Sequence, residues 1–249
     1  MKKIFSKYAD YYDLLYKNKS YKRETNYIEK IINKYAGKKL KILELGCGSG
    51  GHALELKKKG HAITALDTSK KMIEIANKKN LNNDIIFIQK DLKKFISKKK
   101  FDVIILLFHV VNFLKQKKEL KKLSTNSYKN LKKNGIIIFD FINLNGVIAD
   151  KPKKKIKVIK HKELTITRKT KPFFIKKKKL FNVEFEMIIN NRNKLIDKFF
   201  ETHKLRLHSL DEIVKIFESK FSAINVFKWM KFSKISKKDW FGLYILKKN

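Results

Sequence analysis

The chain has one cysteine, two prolines and only four arginines in 249 residues. A single thiol, Cys47, excludes an internal disulfide and suits a reducing compartment, so a cytoplasmic location is expected. With only Pro152 and Pro172, no Pro-rich linker divides the chain, and no repeat is visible. Long hydrophobic runs are missing as well. The strongest, residues 103–107 and 136–139, have the length of strands, so no membrane span is expected. The start, from Met1 to Tyr8, is basic but lacks the apolar stretch of a signal peptide. Acidic residues are scarce, with 23 against 61 basic ones and a net charge of +38.

That charge has two readings. A nucleic-acid binder concentrates cationic groups, and arginine serves it best because the guanidinium grips phosphates and bases in a two-pronged fork. Here 57 of the 61 basic residues are lysines, and they are spread along the whole chain. Together with abundant Asn and Ile, this is the composition an AT-rich genome produces. A small-molecule partner is therefore expected, with non-specific polyanion binding at low salt. An RNA-directed protein is the alternative.

The first 150 residues alternate between strand and helix patterns. Residues 21–35 carry Ile28, Ile31, Ile32 and Tyr35 at helical spacing, and Gly37 ends that helix. Strands are expected at 41–45, 62–66, 85–89, 102–107 and 136–140. Helices should run to about residue 59, from Ser69, and from about 117 to 132, where Asn134-Gly135 breaks the last. The fourth strand is apolar on both faces, as a central parallel strand should be. Such β-then-α units imply a doubly wound α/β sheet. From 156 to 207 the pattern changes to strands, at 156–160, 164–169, 180–189 and 199–207, with a hairpin turn at Asn190-Asn191-Arg192-Asn193. Ser209 with Glu212 reads as a capping box for a last helix, and strands near 222–229 and 241–246 close the chain. Residues 1–150 thus form a core with lid helices, 151–208 an antiparallel insert, and 209–249 the completion of the sheet.

The segment Glu44-Leu45-Gly46-Cys47-Gly48-Ser49-Gly50 places glycines at alternate positions between a strand and a helix. Such a turn lets backbone approach a ligand closely and aims helix N–H groups at negative charge. Its spacing is neither that of the dinucleotide fingerprint nor that of a P-loop. Asp67 ends the second strand. A carboxylate there meets ribose hydroxyls in doubly wound folds, or it caps the following helix. Asp91 follows the third strand, where it could accept an adenine amino group with Leu92 packed on the ring.

These residues resemble the class I S-adenosylmethionine-dependent methyltransferases. The loop from Glu44 to Gly50, Asp67, and Gln89-Lys90-Asp91-Leu92 match that class in order and spacing, as do Phe101-Asp102-Val103-Ile104 and Leu131-Lys132-Lys133-Asn134-Gly135. The resemblance implies a Rossmann-like, seven-stranded, mostly parallel sheet with the antiparallel insert between strand 5 and the last helix. It also implies S-adenosyl-L-methionine as cofactor, held by Tyr21, Glu44, Gly46, Gly48, Gly50, Asp67, Thr68, Met72, Asp91, Leu92 and Phe108; no metal is expected. The lid sequence around Tyr8–Tyr16, with Tyr21 and Glu24, and the segment Glu201–Leu207 are similar to N,N-dimethyltransferases of nucleotide-linked amino sugars and to the glycine and sarcosine methyltransferase-like group. An amine acceptor, amino sugar or amino acid, follows from that likeness.

Methyl transfer from a sulfonium is an in-line displacement, and positioning alone can supply ~7–11 kcal/mol of the barrier. His203 and His109 are the candidate bases. Tyr12 and Tyr16 would orient the acceptor and close the lid, or simply pack. Arg206 would meet an acceptor phosphate or carboxylate, or pair on the surface. After the fourth strand the chain reads Leu106-Leu107-Phe108-His109-Val110-Val111-Asn112, without the prolines common to methyltransferases of base or amide nitrogens. Cys47 lies in the loop, where it serves as a small turn residue, not as a nucleophile. The insert is expected to cover the carboxyl ends of the strands and to close the acceptor pocket with the lid. Its apolar face needs the core, or the same sheet of a second subunit in a homodimer.

Overall fold

Alternation along the central strands sets the architecture. Ile42, Val103, Ile105, Ile136 and Ile138 face one side, and Leu43, Ile104, Leu106, Ile137 and Phe139 the other. A sheet that is apolar on both faces must be covered on both. In the computed structural model, which describes residues 4–249, two helical layers do this. Residues 1–3, part of the basic start, lie outside the described residues.

The chain opens with α1 (Tyr8–Leu15) and α2 (Tyr21–Tyr35), followed by β1 (Lys41–Leu45), α3 (Gly51–Lys57), β2 (Ala62–Asp67), α4 (Lys70–Lys79), β3 (Ile86–Gln89) and β4 (Phe101–Leu106). Next come α5 (Lys117–Asn130), β5 (Leu131–Ile142), α6 (Leu144–Ala149) and the insert strands β6 (Lys155–His161), β7 (Leu164–Ile175), β8 (Leu180–Asn191) and β9 (Lys194–Arg206). The chain ends with α7 (Leu210–Phe217), β10 (Phe221–Lys228) and β11 (Phe241–Lys248). The main sheet has seven strands in the order β10-β11-β5-β4-β1-β2-β3, with only β11 antiparallel to its neighbours. On one face α2 buries Tyr27, Ile28, Ile31 and Ile32 beside Ala53 and Leu56 of α3. On the other, Leu120 and Leu123 of α5 pack with Ile213, Ile216 and Phe217 of α7. Each such buried aliphatic side chain contributes about 1.5–3 kcal/mol relative to exposure.

The second sheet, β6-β7-β8-β9, is the expected antiparallel insert. Its hairpin turn forms at Arg192 and Asn193, both with positive φ (45° and 66°), the mirror-image turn that matches strand twist. One face packs on the lid: Ile159, Ile166, Phe185, Met187 and Ile189 enclose Tyr8, Ala9, Tyr12 and Leu15 of α1. The apolar face thus finds the lid helix along most of its length, while Phe181 and Leu205 pack on Ile142 of β5 and on Leu144 and Val147 of α6.

Several boundaries differ from expectation. α5 stops at Asn130 and β5 already begins at Leu131, because Asn134 at φ 60° lets the strand bulge instead of terminating a helix. β7, β8 and β9 run to 12, 12 and 13 residues, longer than their apolar alternation, because ladder bonds to neighbours carry them past it. The short α6 has no periodic pattern to announce it. Only half of the capping box forms at α7: Ser209 Oγ accepts the Glu212 N–H at 3.3 Å, while the Glu212 carboxylate turns to Arg206 and Lys179.

Candidate functional site

Loops after β1, β2, β3 and β4 gather at the carboxyl edge of the sheet, where the strand order reverses between β1 and β4. A cavity of about 430 Å³ opens there. Its walls include Gly46 and Gly48, then Asp67, Thr68 and Met72, then Asp91 and Leu92, and Phe108 after β4. The lid adds Phe5, Tyr12 and Tyr21. The size suits a small organic ligand.

The glycine loop is braced from below. Gly46 and Cys47 donate their N–H groups to the Leu66 carbonyl at 2.7 and 3.0 Å, and Gly48 donates to Asp67 Oδ2 at 2.9 Å. The N–H groups of Gly46 and Cys47 are therefore spent on the β2 backbone, and that of Gly48 on the Asp67 carboxylate. α3, at seven residues, is also too short to act as a strong dipole. What the loop offers is space. At Gly48 (φ +54°) a Cβ would meet nothing within 4 Å, so the bare backbone leaves a cradle on the cavity wall. At Gly46 a Cβ would strike Val110 at 2.7 Å. Gly50 does not line the cavity; it packs under Phe87 and Ala76 and supplies the left-handed N-cap of α3.

Asp67 is not the cap of α4; Ser69 is, accepting the Met72 N–H at 3.3 Å. The Asp67 carboxylate accepts Ser69 N–H through Oδ1 at 2.8 Å and Gly48 N–H through Oδ2. Burial pushes its pKa up, against those backbone donors. Asp91 accepts the Lys93 N–H at 2.8 Å and lies 3.6 Å from the Lys93 ammonium.

Glu44 stands behind the loop rather than in the cavity. It is 1% exposed, accepts the Ala53 N–H, and has an Oε2 without a partner. Burial, with Asp67 nearby, pushes its pKa up to about 8. Beside it, His52 Nδ1 lies 3.8 Å from Glu44 Oε1, while His52 Nε2 bonds Glu24 at 2.7 Å. Glu24 also pairs with Lys19, whose ammonium sits 4.4 Å from the Phe108 ring centroid. Burial alone would raise the Glu24 carboxyl, but the His52 hydrogen bond and Lys19 hold it below the usual range. Burial lowers His52. This chain of polar groups, and His52 on the cavity wall, escape the sequence reading. The only hint was the position of His52 in the first turn after the glycine loop.

The candidate catalytic groups separate. Tyr12 lines the cavity, whereas Tyr16 stands one ring behind it, 4.7 Å from Tyr12 and 5.3 Å from Phe108 between centroids. His203 is 9% exposed and lies off the cavity wall. It is boxed by Phe5, Tyr8, Phe113 and Phe185 at 4.7–5.8 Å and hydrogen-bonded to Glu201 at 2.7 Å. Glu201 also accepts the Phe5 N–H at 3.0 Å, which ties the insert to the start of the lid. His109 is held by Asp140, through its N–H at 2.8 Å and its Nδ1 at 3.0 Å, and stacks on Phe241. Phe108 and His109 both have positive φ (68° and 64°), a strained pair that aims Phe108 into the cavity. Arg206 pairs with Glu212 at 3.0 Å and does not line the cavity. Cys47 is buried and its thiol pushed up, so it has no nucleophilic character. Among the described residues none from the insert lines the cavity; the lid lies between, and the insert backs it.

Residues 42–135 match the methyltransferase domain family. YqeM of Bacillus subtilis (strain 168), which carries a methyltransferase name, is 30% identical over 139 residues, 55% of each chain. A dTDP-3-amino-3,4,6-trideoxy-alpha-D-glucopyranose N,N-dimethyltransferase of Streptomyces venezuelae is 26% identical over 135 residues, 53% of this chain and 56% of that one. The chain spans about half the length of these curated relatives. The crystal structure of an S-adenosylmethionine-dependent methyltransferase from Clostridium acetobutylicum ATCC 824 superposes with a TM-score of 0.81 at 20% identity, covering 98% of both chains. The matched segment holds β1 to β4, the start of β5, and every loop that shapes the cavity except the lid. Residues 42–135 are thus similar to the methyltransferase domain family, and the chain as a whole has the fold of the S-adenosylmethionine-dependent methyltransferase on which it superposes.

Proposed function

We propose that the protein is an S-adenosylmethionine-dependent methyltransferase acting on an amine of a small molecule. The observation that carries this reading is the cavity: a glycine cradle at Gly48, a carboxylate at the end of β2 and a second carboxylate after β3 line one cleft. These residues fit the cofactor. Asp67 would hold the ribose hydroxyls, Asp91 would accept the adenine amino group, Leu92 and Met72 would flank the ring, and Gly48 would leave room for the chain leading to sulfur. The cofactor supplies a methyl group already activated by a positive sulfur.

The remaining work falls to position and exclusion of water. Tyr12, Tyr21 and Phe108 bring aromatic faces to the cavity, and such faces favour a cationic centre. Tyr12 and Tyr16 orient the acceptor. His203 acts as a positioning residue: with Glu201 it holds Phe5, which is itself a wall residue. The amine reacts in its neutral form and releases its proton to water. The amino-sugar relative supports an amine acceptor. An RNA acceptor has less support, because Arg192 and Arg206 are paired with Glu163 and Glu212 and the cavity is walled by aromatic lid residues.

Calorimetry of the purified protein with S-adenosylmethionine and S-adenosylhomocysteine tests the cofactor. No heat at millimolar concentration would remove the basis of this reading. Methyl transfer to a panel of amino sugars, amino acids and other amines then identifies the acceptor.

A further inference from the structure

Lid and insert meet in a cluster that holds more hydrogen-bond donors than acceptors. Arg168 of β7, half-buried, donates through Nη1 to the Tyr8 hydroxyl at 2.8 Å and to the Tyr16 hydroxyl at 3.2 Å. Its guanidinium lies 5.6 Å from the Tyr16 ring centroid and 5.2 Å from that of Phe185. Its Nε is buried without a partner. Lys157 of β6 is the cross-strand partner of Arg168, and its ammonium donates to the Leu15 carbonyl at the end of α1.

Two cations directly opposite on antiparallel strands repel. Neither Arg168 nor Lys157 belongs to any ion pair among the described residues, whereas Arg192 and Arg206 each have a glutamate. Burial and the charge of Arg168 together lower the Lys157 pKa. The hydroxyls do not repair the imbalance. Tyr8 and Tyr16 lie 3.4 Å apart and can share one hydrogen bond, so one hydroxyl hydrogen is left over beside the Arg168 Nε–H. A half-buried group of cations and hydroxyl donors without an anion is costly unless an anion completes it.

We propose that Arg168, Lys157, Tyr8 and Tyr16 form a subsite for an anionic group, carboxylate or phosphate, carried by the methyl acceptor. The acceptor assignment rests on the methyltransferase reading; the anion site itself does not. Tyr16 links the two places: its ring contacts Tyr12 and Phe108, both on the cavity wall. An acceptor that enters under the lid would set its anionic end on Arg168, one ring away from the cavity that holds its reacting end. The fork of the guanidinium matches either oxyanion.

The test uses the full chain, with inorganic phosphate and acetate as separate probes, measured by calorimetry and thermal shift at a salt concentration that screens surface lysines. Four forms are compared: the natural protein, Arg168→Gln, Lys157→Gln, and Lys169→Gln as a control on the exposed outer face of the same strand. Saturable binding of one probe is expected in the natural protein and in the control. Arg168→Gln should weaken it about ten- to hundredfold, the loss of a charge-assisted bond. Lys157→Gln should weaken it less. Binding of phosphate alone or of acetate alone identifies the oxyanion. Equal affinity in all four forms, or no saturable binding in the natural protein, overturns the proposal. If Arg168→Gln does not fold by circular dichroism, Arg168→Lys and Lys157→Gln read the same loss. S-adenosylmethionine titrated into the same samples separates the two ideas: anion binding that depends on Arg168 without cofactor binding would sink the methyltransferase reading alone.

Discussion

At the scale of single residues, the loop and its carboxylates divide the work differently from what their order suggests. Asp67 both faces the cavity and fastens the loop through Gly48. Asp67→Ala should weaken S-adenosylmethionine binding by roughly 1.5–3 kcal/mol in calorimetry while the fold persists. Unchanged affinity with an intact fold would leave Asp67 a brace only. Gly48→Ala meets no clash but adopts φ +54°, a strain of about 1–2 kcal/mol, and it fills the cradle. Its loss of cofactor affinity should therefore exceed its loss of thermal stability, and the reverse is expected of Gly46→Ala, which strikes Val110. Glu44 provides a test by pH. The unfolded chain releases its proton near 4.5, whereas the folded chain keeps it to about 8. Between those values the folded state binds the extra proton, so this group makes stability fall as pH rises. Glu44→Gln cannot ionise. Its advantage in unfolding free energy over the natural protein, read by denaturant titration, should be small at pH 5 and grow to roughly 2–5 kcal/mol by pH 8.

At the scale of elements, the lid is the piece whose place depends on others. α1 has little partner surface on the main sheet and takes its hydrophobic neighbours from the insert. Ile166, fully buried in that contact, is a direct probe. Ile166→Ala should cost about 2–4 kcal/mol in denaturant unfolding. Because Phe5, Tyr12 and Tyr21 wall the cavity, the same change should also weaken cofactor binding, although Ile166 is not a wall residue. Stability lost with cofactor affinity intact would show that the lid does not need its backing. His203 belongs to the same contact. His203→Gln, which can keep a hydrogen bond to Glu201, should raise KM more than it lowers kcat and leave the pH profile of kcat in place; a lost acidic limb in that profile would make His203 the proton acceptor instead.

At the scale of the whole molecule, the net charge of +38 dominates behaviour in solution. Binding to nucleic acids should appear at low salt, fall steeply as salt rises, and be equal for unrelated sequences in titration. One RNA that stays tightly bound at high salt, with sequence preference, would restore the RNA-directed reading. Among the described residues no helix is long and apolar enough to cross a membrane. The outer face of the insert exposes Ile156, Val158 and Phe200 between the ion pairs of Glu186 with Lys169 and Lys198, a mixed surface rather than a core cut open.

Local pattern was enough for the sheet. Alternating apolar residues at 42–45, 103–106 and 136–139 dictate strands buried on both faces, and the stripe at Ile28, Ile31 and Ile32 dictates the helix that covers them. The glycine spacing with Asp67 and Asp91 likewise marked the cavity, because those residues follow consecutive strands whose ends must meet. What the pattern could not reveal depends on contacts between distant segments. Glu44 is drawn out of the site by the packing of His52 over it, 8 residues further on but a helix turn away in space. His203 is removed from the cavity by Phe5, nearly 200 residues earlier. The orphaned pair Arg168 and Lys157 exists only because two strands register there and α1 docks upon them. Periodicity is a property of neighbours in the chain, and it decides which elements form. Which side chains reach the cavity, and which charges are left without partners, is decided by burial across the chain, where desolvation and contact geometry act only after the elements have assembled.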